Sequence, residues 1–457
     1  MILGLTAQIE YAICKEGYSE IMTRLLPLLV LLSSPALAAS GKIDTGDTAW
    51  VLASSALVLL MTPGLALFYG GLVSTRSVLN TMMMSFAAIA IVSVLWIFFG
   101  YSLAFGEGSW IGNLSHVGLQ GLDNQVWGTI PEYVFVLFQT GFAIITPALI
   151  SGAVVERMRF GAYLLFITLW SILVYIPLVH WLWTPDGWLA KLGVLDFAGG
   201  LPIEVACGFS GLVAAMVVGG RMGWPKRPVL PHNMVYVLIG VGLLWFGWLG
   251  FNAGSALTAG ESAGRAITAT NAAGAAAMLS WMLWEYLHSK RATALGAATG
   301  SIAGLVAVTP AAGFISPLAA LLLGFLASTV SFWILAYKHK LKFDDSLDVF
   351  AVHGMGGVVG ILFTGLFAFT TGQGKAPLVQ FGIQALGLVF TIGFCAALTL
   401  VSLKITQIFI PLRVSVHDES IGVDLALHQE SGYNNDDFGF STPEINNLAA
   451  PVLISSD

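Results

Sequence analysis

Long runs of apolar residues, separated by short polar or Gly- and Pro-rich breaks, repeat along most of the chain. Most runs reach the roughly 20 residues that a helix needs to cross a bilayer, whereas a membrane-spanning strand takes about 9–11 residues and alternates in polarity. The pattern predicts eleven spanning helices, near residues 48–72, 78–105, 131–152, 159–181, 199–220, 232–253, 263–287, 295–309, 315–337, 347–371 and 378–409. We therefore expect an all-α membrane protein.

The composition agrees with this pattern. Hydrophobic residues make up 57% of the chain and charged residues only 10%, against about 25% charged residues in a soluble globular protein. No basic patch of the kind that binds nucleic acid occurs, and no nucleophile–base or metal-ligand motif is present, so we predict neither an enzyme nor a metal or cofactor site. Cys14, Cys207 and Cys395 are far apart, and we interpret them as small buried hydrophobic residues.

Residues 1–39 are predicted to be a leader that is removed from the mature protein. Met22 and Arg24 open a short basic region, residues 25–32 form a compact apolar core, and residues 36–38 (Ala-Leu-Ala) match the small-residue cleavage motif. This core is too short to span a bilayer. Met22 is therefore a candidate for the true start of the chain. Cleavage would leave the new N-terminus outside, and an uncleaved anchor is the alternative.

Basic residues test the number of helices and orient them. With the N-terminus outside, thirteen of the 19 Lys and Arg residues fall in predicted inner loops, four in outer loops and two in the leader region. This bias agrees with the positive-inside rule, so we expect the C-terminus inside. The inner group is Arg76, Arg157, Arg159, Arg221, Lys226, Arg227, Lys290, Arg291, Lys338, Lys340, Lys342, Lys404 and Arg413, and the outer group is Lys42, Lys191, Arg265 and Lys375.

Two of the predicted helices share a short motif. The fifth contains Glu204 and the tenth contains His353, and in both helices glycines follow four and seven positions later. Because five helices separate them, the two cross the membrane in opposite directions. This arrangement indicates an inverted repeat of five plus five helices, with one extra helix and a substrate site where the repeats meet. A chance similarity between two Gly-rich helices is the alternative.

Glu204 and His353 are ionisable side chains inside apolar helices. A charge at such depth costs several kcal/mol unless it is paired, so each residue is a functional candidate, with a structural hydrogen bond between helices as the alternative. Simple helices would place Glu204 near the outer third of the membrane and His353 near the inner third. The two side chains can meet only if both helices start recessed. Asp196 and Asp348, in turn-rich entries, are predicted to cap these helix starts.

Five segments of the chain resemble the ammonium transporter (Amt/Mep/Rh) family. They are residues 61–71 (MTPGLALFYGG), 138–142 (FQTGF), 196–200 (DFAGG), 248–255 (WLGFNAGS) and 352–354 (VHG). Each segment is a weak signal alone, but all five occur in this order on eleven predicted helices. The resemblance extends over about residues 47–433, and it implies a homotrimer with one narrow pore per subunit.

The resemblance also implies roles for particular side chains. Phe138, Phe142, Trp183 and Ser255 match the outer site at which the family recruits ammonium, and Phe142 and Phe251 match its two stacked gate phenylalanines. Aromatic faces attract a small cation, and a serine hydroxyl can accept a hydrogen bond from it. Outside these motifs, each aromatic residue would be interpreted as ordinary core.

Position 204 departs from the family pattern. Members usually carry two histidines in contact within the pore. His353 matches the second of these, but Glu204 stands at the first, which resembles a minority variant. We expect Glu204 and His353 to form the proton relay of the pore. The transport rate, pH dependence and ion selectivity of this pore need not follow those of the family members that carry two histidines.

The C-terminal part of the chain differs in character from the rest. Residues 40–409 form the predicted transporter domain, and residues 410–457 form a cytosolic tail. Residues 421–433 resemble the family's regulatory C-terminal segment, which implies a PII-type signalling protein as a partner at the cytosolic face. Residues 434–457 are rich in Asn, Asp, Ser and Pro and are predicted to be disordered.

The residues and the resemblance together predict transport of ammonium or ammonia across a bacterial inner (cytoplasmic) membrane. We expect ammonium to be recruited at the outer aromatic site and deprotonated near the phenylalanine gate. Ammonia would then pass through an apolar pore while Glu204 and His353 relay the proton. One alternative is an ammonium sensor with little flux. Another is a carbon dioxide channel of the Rh type, although Trp183 and Ser255 favour a site for a cation.

Overall fold

The computed structural model describes residues 42–226, 229–340 and 343–433. Within these residues, helices occupy all eleven predicted positions. The predicted leader (1–39) and the predicted disordered end (434–457) lie outside the described residues. The helices, α1 to α11, are Thr45–Leu72, Val78–Phe105, Glu132–Ser151, Phe160–Trp183, Gly200–Val218, Met234–Gly254, Glu261–Ser289, Ala294–Val308, Pro317–Ala336, Phe350–Thr371 and Pro377–Phe409.

Nine of the helices in the described part of the chain are long and apolar enough to cross a membrane, and the two that do not qualify are α7 and α8. Helix α7 has 29 residues but includes Glu261, Arg265 and Glu285. Helix α8 has 15 residues, which corresponds to roughly 22 Å, less than the ~30 Å of a hydrocarbon core. Most side chains of α8 are buried against other helices, so this helix does not depend on lipid contact. The chain is a multi-pass membrane protein.

Polar side chains define where several helices begin. Asp44 accepts a hydrogen bond from the Asp47 amide at the start of α1, and Asn233 accepts two from the first amides of α6. Thr293 and Ser316 each accept one hydrogen bond from an amide near the start of α8 and α9, respectively. Each cap satisfies amide groups that have no partner within their own helix, and so places the helix ends at defined positions.

Glycines allow α1 and α6 to pack in close contact. A Cβ atom on Gly71 would lie 2.6 Å from the carbonyl oxygen of Asn233, and one on Gly240 would lie 2.4 Å from the amide nitrogen of Phe68. Neither position has room for a larger residue. The close approach brings residues of both helices, including Phe68, to the central cavities described below.

A buried arginine joins three loops on the face that carries the C-terminal segment. Arg157 is fully buried and donates hydrogen bonds to the carbonyl oxygens of Ala153, Gly219 and Asp344 and to the hydroxyl of Ser346. Burial lowers the pKa of Arg157 to about 10, so the guanidinium is still charged at neutral pH. This network holds the loop that leads into α10.

The loops on the opposite face contain a small hairpin that the sequence analysis did not predict. Strands β1 (Val126–Trp127) and β2 (Ile130–Pro131) pair antiparallel, and a short helix, Trp188–Leu192, precedes α5. The hairpin places the ring of Trp127 flat on that of Phe135, with 4.1 Å between the ring centroids. These rings form part of the wall of an outer cavity.

The described part of the tail is folded against the helical domain. Helices α12 (Val416–Ile421) and α13 (Val423–His428) follow α11, and Ser415 and Asp418 form a capping box at the start of α12. The carboxylate of Asp424 accepts hydrogen bonds from the amides of Leu79 and Asn80 at the start of α2. The tail is therefore docked on the start of α2.

Candidate functional site

Glu204 and His353 meet at the centre of the molecule. Each lies in a π-helical turn, Gly200–Val205 in α5 and Phe350–Gly354 in α10. His353 Nδ1 lies 2.8 Å from Glu204 Oε2, and the two residues are only 4% and 1% exposed. The two side chains that the sequence analysis paired are thus within hydrogen-bond distance.

Glycines shared by the two motifs allow this approach. A Cβ atom on Gly208 would lie 2.1 Å from the amide nitrogen of Gly354, and one on Gly357 would lie 3.1 Å from the Cβ of Glu204. Helices α5 and α10 therefore touch backbone to backbone immediately beside the ionisable pair. The common spacing of the motifs corresponds to mutual packing of the two helices.

Carboxylates cap the starts of α5 and α10, although not both as predicted. Asp196 accepts hydrogen bonds from three successive amides at the start of α5, which agrees with the predicted cap. At α10 the amide of Phe350 donates instead to Asp345, while the carboxylate of Asp348 contacts the ammonium group of Lys338. The cap predicted at Asp348 is therefore wrong. Asp348 has a positive φ of 65°, and it is paired with Lys338 rather than with amides of the helix start.

A cavity of about 140 Å³, which we call the outer cavity, lies on the side of α5 opposite the C-terminal segment, and Phe138, Trp183 and Ser255 are among its lining residues. Ser255 donates its hydroxyl hydrogen to the carbonyl oxygen of Phe251, so its oxygen lone pairs are left as acceptors. Phe142 is not part of the lining, but its ring lies 6.0 Å from that of Trp183.

The sequence analysis missed five residues that line this cavity, namely Trp127, Phe135, Gln139, Phe197 and Leu257. The Oε1 atom of Gln139 is buried and has no hydrogen-bond partner among the described residues. A usable signal existed in α3, because Phe135, Gln139 and Phe142 follow the spacing of one helix face. Trp127 could not have been found in this way, since it reaches the cavity through the hairpin.

The rings of Phe142 and Phe251 lie next to the outer cavity, because Phe142 packs against its lining residues Phe138 and Trp183. Their centroids are 4.2 Å apart, with an interplanar angle of 25°, so the rings are stacked. Both residues are 1% exposed. A hydrated ion cannot pass such a pair without displacement of the rings and loss of its water.

Beyond the two rings lie a narrow space and then a wider one. The narrow space, which we call the lane, has a volume of about 10 Å³ and is lined by apolar residues together with Trp248, Glu204 and His353. This volume corresponds to about one water molecule. An inner cavity of about 210 Å³ follows, and His353 lines both spaces. Outer cavity, phenyl pair, lane and inner cavity therefore form one series.

The comparisons with known proteins agree with this arrangement. A model of the Ammonium Transporter Family matches residues 49–433. The chain belongs to the ammonium transporter family. An ammonium transporter of Bacillus subtilis (strain 168) is 46% identical over 404 residues, which cover 85% of this chain and 99% of that protein.

Solved structures of the ammonium transporter family share the fold. The crystal structure of Saccharomyces cerevisiae Mep2 is 33% identical, with a TM-score of 0.76 over 82% of this chain and 89% of that one. A solved structure named Sensor Amt Protein is 28% identical, with a TM-score of 0.80 over 84% of this chain and 98% of that one. The predicted family resemblance is confirmed, while the roles of individual side chains stay predictions.

Proposed function

We propose that this ammonium transporter family member conducts ammonium or ammonia through the series of cavities described above. One observation carries the proposal: a stacked phenyl pair separates an aromatic cavity with a serine acceptor from a lane that contains a buried carboxyl–imidazole pair. A bacterial inner membrane is the proposed location, consistent with bacterial relatives.

The outer cavity has the chemistry to recruit a small cation. The faces of Trp183 and the neighbouring phenylalanines attract positive charge, and the hydroxyl oxygen of Ser255 is available as an acceptor. Ammonium and potassium are similar in size, but ammonium donates hydrogen bonds directionally, so fixed acceptors favour it. We assign Phe138, Phe142, Trp183 and Ser255 to this recruitment site.

The phenyl pair then makes loss of a proton favourable. A bare ion in the apolar lane would be costly, whereas neutral ammonia has a far smaller desolvation cost. We propose that ammonium gives up a proton near Phe142 and Phe251, and that Glu204 and His353 relay this proton toward the inner cavity.

We further propose that all eleven helices cross the membrane, with the N-terminus outside, the C-terminus inside and helices α1–α5 related to α6–α10 by an inverted repeat. The matching π-helical turns of α5 and α10 support the repeat. The burial of α8 supports its inclusion, because a helix surrounded by protein can be short and still cross. The leader, the domain boundary near residue 409 and a homotrimeric assembly belong to the same proposal.

The cytosolic face is the proposed docking site for a PII-type signalling protein. The folded tail supports this, because it is held at defined points: Asp424 binds the start of α2, and Glu419 accepts hydrogen bonds from the Met222 amide and from Arg413. A partner that bound the tail would act on the loops around the inner cavity.

Reconstitution of the purified protein tests the proposed function. Liposomes containing the wild type should accumulate labelled methylammonium and should carry a current when an ammonium gradient is applied, and an equal potassium gradient should produce none. Protein-free liposomes are the control. Absence of uptake by protein that elutes as a single species would contradict the proposal.

An ammonium sensor is the second candidate, because a solved structure named Sensor Amt Protein superposes with a TM-score of 0.80. The same experiment separates the two functions. A sensor would bind ammonium, detectable as a rise in melting temperature, without uptake above the level of protein-free liposomes.

A further inference from the structure

A third potential metal ligand lies beside the Glu204–His353 pair. The ligand atoms of Glu204, Cys207 and His353 lie within 4.8 Å of one another, and all three residues are buried. Cys207 follows Glu204 by three positions, so both lie on the same side of α5, and its thiol is 3.4 Å from the carbonyl oxygen of Glu204. The proposed transport mechanism makes no use of this thiol.

The three groups suit one class of cation. Sulfur, imidazole nitrogen and carboxylate oxygen are the ligands of zinc and of similar, softer divalent cations. With metal–ligand bonds of about 2.0–2.3 Å, ligand atoms around a tetrahedral ion lie roughly 3.3–3.8 Å apart. The Glu204–His353 contact would open from 2.8 Å, and the thiol would move inward. The lane, with room for about one water molecule, can supply the fourth ligand.

The inner cavity offers such a cation a route that avoids the stacked phenyl rings. His353 lines this cavity of about 210 Å³, and Glu285 lies on the same wall. The carboxylate of Glu285 accepts hydrogen bonds from Thr293, and it forms no salt bridge with any described residue. Its charge therefore favours cations in the space that leads to His353.

We propose that Glu204, Cys207 and His353 form a binding site for a zinc-like divalent cation, and that the bound cation blocks the lane. The block rests on the proposed transport function, whereas binding itself does not. Cys207, which the sequence analysis treated as a small hydrophobic residue, would set the preference for a soft cation.

Two measurements on the purified full-length protein test the site, with Cd²⁺ as the probe. Binding to the native state should raise the melting temperature in detergent, and Cd²⁺ on both sides of the liposomes should inhibit methylammonium uptake. Cys207→Ala should raise the Cd²⁺ concentration needed for both effects at least about tenfold. Loss of a group that only hydrogen-bonds a metal ligand already lowers metal affinity by about that factor. Cys395→Ala, which removes the buried thiol of α11, is the matched control and should respond like the wild type.

The outcomes separate the site from the transport function. A wild type that transports but shows no thermal shift with Cd²⁺ overturns the site and leaves the proposed function intact. A thermal shift that survives in both Cys207→Ala and Cys207→Ser also overturns it, because the cation would then be bound elsewhere. A Cys207-dependent thermal shift without inhibition of uptake overturns the block. If the wild type does not transport, the thermal shift still decides on binding.

Discussion

Glu204 differs from a histidine in the sign of the charge that it contributes. A carboxyl group is neutral or negative, whereas an imidazole is neutral or positive. The net charge of a Glu–His pair therefore runs from −1 to +1, while that of two histidines would run from 0 to +2. At any given number of bound protons, the lane of this protein is one unit more negative. We infer that its pore tolerates cations better than a histidine pair would.

Glu204→Gln tests this role at the residue level. The amide keeps the shape of the side chain and its hydrogen bond to His353 but cannot carry the proton or the charge. We expect the ammonium current in liposomes to fall roughly tenfold or more, as for loss of a proton-transfer group, and its pH profile to flatten. Glu132→Gln is a matched control, because Glu132 accepts a hydrogen bond from Tyr101 away from the lane. An unchanged pH profile in a well-expressed Glu204→Gln protein would remove Glu204 from the proton path.

Ser255→Ala tests the recruitment site. The substitution removes an acceptor whose hydrogen bond to a charged donor is worth about 1.5 kcal/mol or more, so half-maximal uptake should require roughly tenfold more methylammonium. The maximal rate should change less, because the lane is untouched. Ser255→Thr keeps the hydroxyl and should restore much of the affinity. Equal concentration dependence in wild type and Ser255→Ala would exclude this serine from recruitment.

At the scale of single residues, the sequence predicted the residues whose type was unusual for their surroundings. Glu204 and His353 stood out as ionisable groups within apolar helices, and the structure brings them into contact. Gln139 and Cys207 did not stand out, because a single amide or thiol is common in a helix. Their importance depends on which neighbours share their space, and that depends on tertiary packing.

At the scale of elements, recessed starts of α5 and α10 would explain how these two helices bring Glu204 and His353 into contact. The first turn of each helix is π-helical, so its side chains point in different directions from those of an α-helical turn. Asp196 and Asp345 accept hydrogen bonds from amides at these two helix starts. The sequence analysis gave a recess as the condition for contact between Glu204 and His353, and the turn-rich entries permit one. It did not predict the π-helical winding, because the choice between π and α turns follows from contacts with neighbouring helices.

Gly208→Ala tests the contact between the two helices. A methyl group at this position would collide with the backbone of Gly354, so α5 and α10 must separate and the Glu204–His353 contact must lengthen. Overpacking of this kind costs about 1–3 kcal/mol. We expect a lower melting temperature and a clear loss of uptake. Gly393→Ala in α11, where the added Cβ meets nothing within 4 Å, should leave both properties unchanged, and matching behaviour of the two variants would contradict the proposed contact.

Most of the helix positions could be predicted because long apolar runs carry a strong signal. The hairpin of β1 and β2 could not, since two-residue strands leave no periodic pattern. The cap at α10 was assigned to Asp348 rather than to Asp345 because three aspartates lie within residues 344–348. Only the folded loop, with Lys338 beside Asp348, distinguishes them.

At the scale of the whole molecule, the number of crossings decides which loops lie on which face. Helices α7 and α8 differ from the other nine in length or composition, because α7 carries charged residues and α8 has only 15 residues. If neither crossed, nine crossings would remain, and the C-terminus would still lie inside. A reporter at the C-terminus therefore cannot separate nine crossings from eleven, whereas the loop between α7 and α8 can.

Labelling of that loop is the decisive measurement. In a background without native cysteines, Arg291→Cys places one thiol between α7 and α8, and Gln373→Cys places one between α10 and α11. With eleven crossings and the N-terminus outside, a membrane-impermeant maleimide applied to intact cells should label position 373 but reach position 291 only after permeabilisation. With nine crossings both positions would be labelled from outside. Since basic residues are retained on the inner side, and Lys290 and Arg291 form the charged end of this loop, we expect the first result.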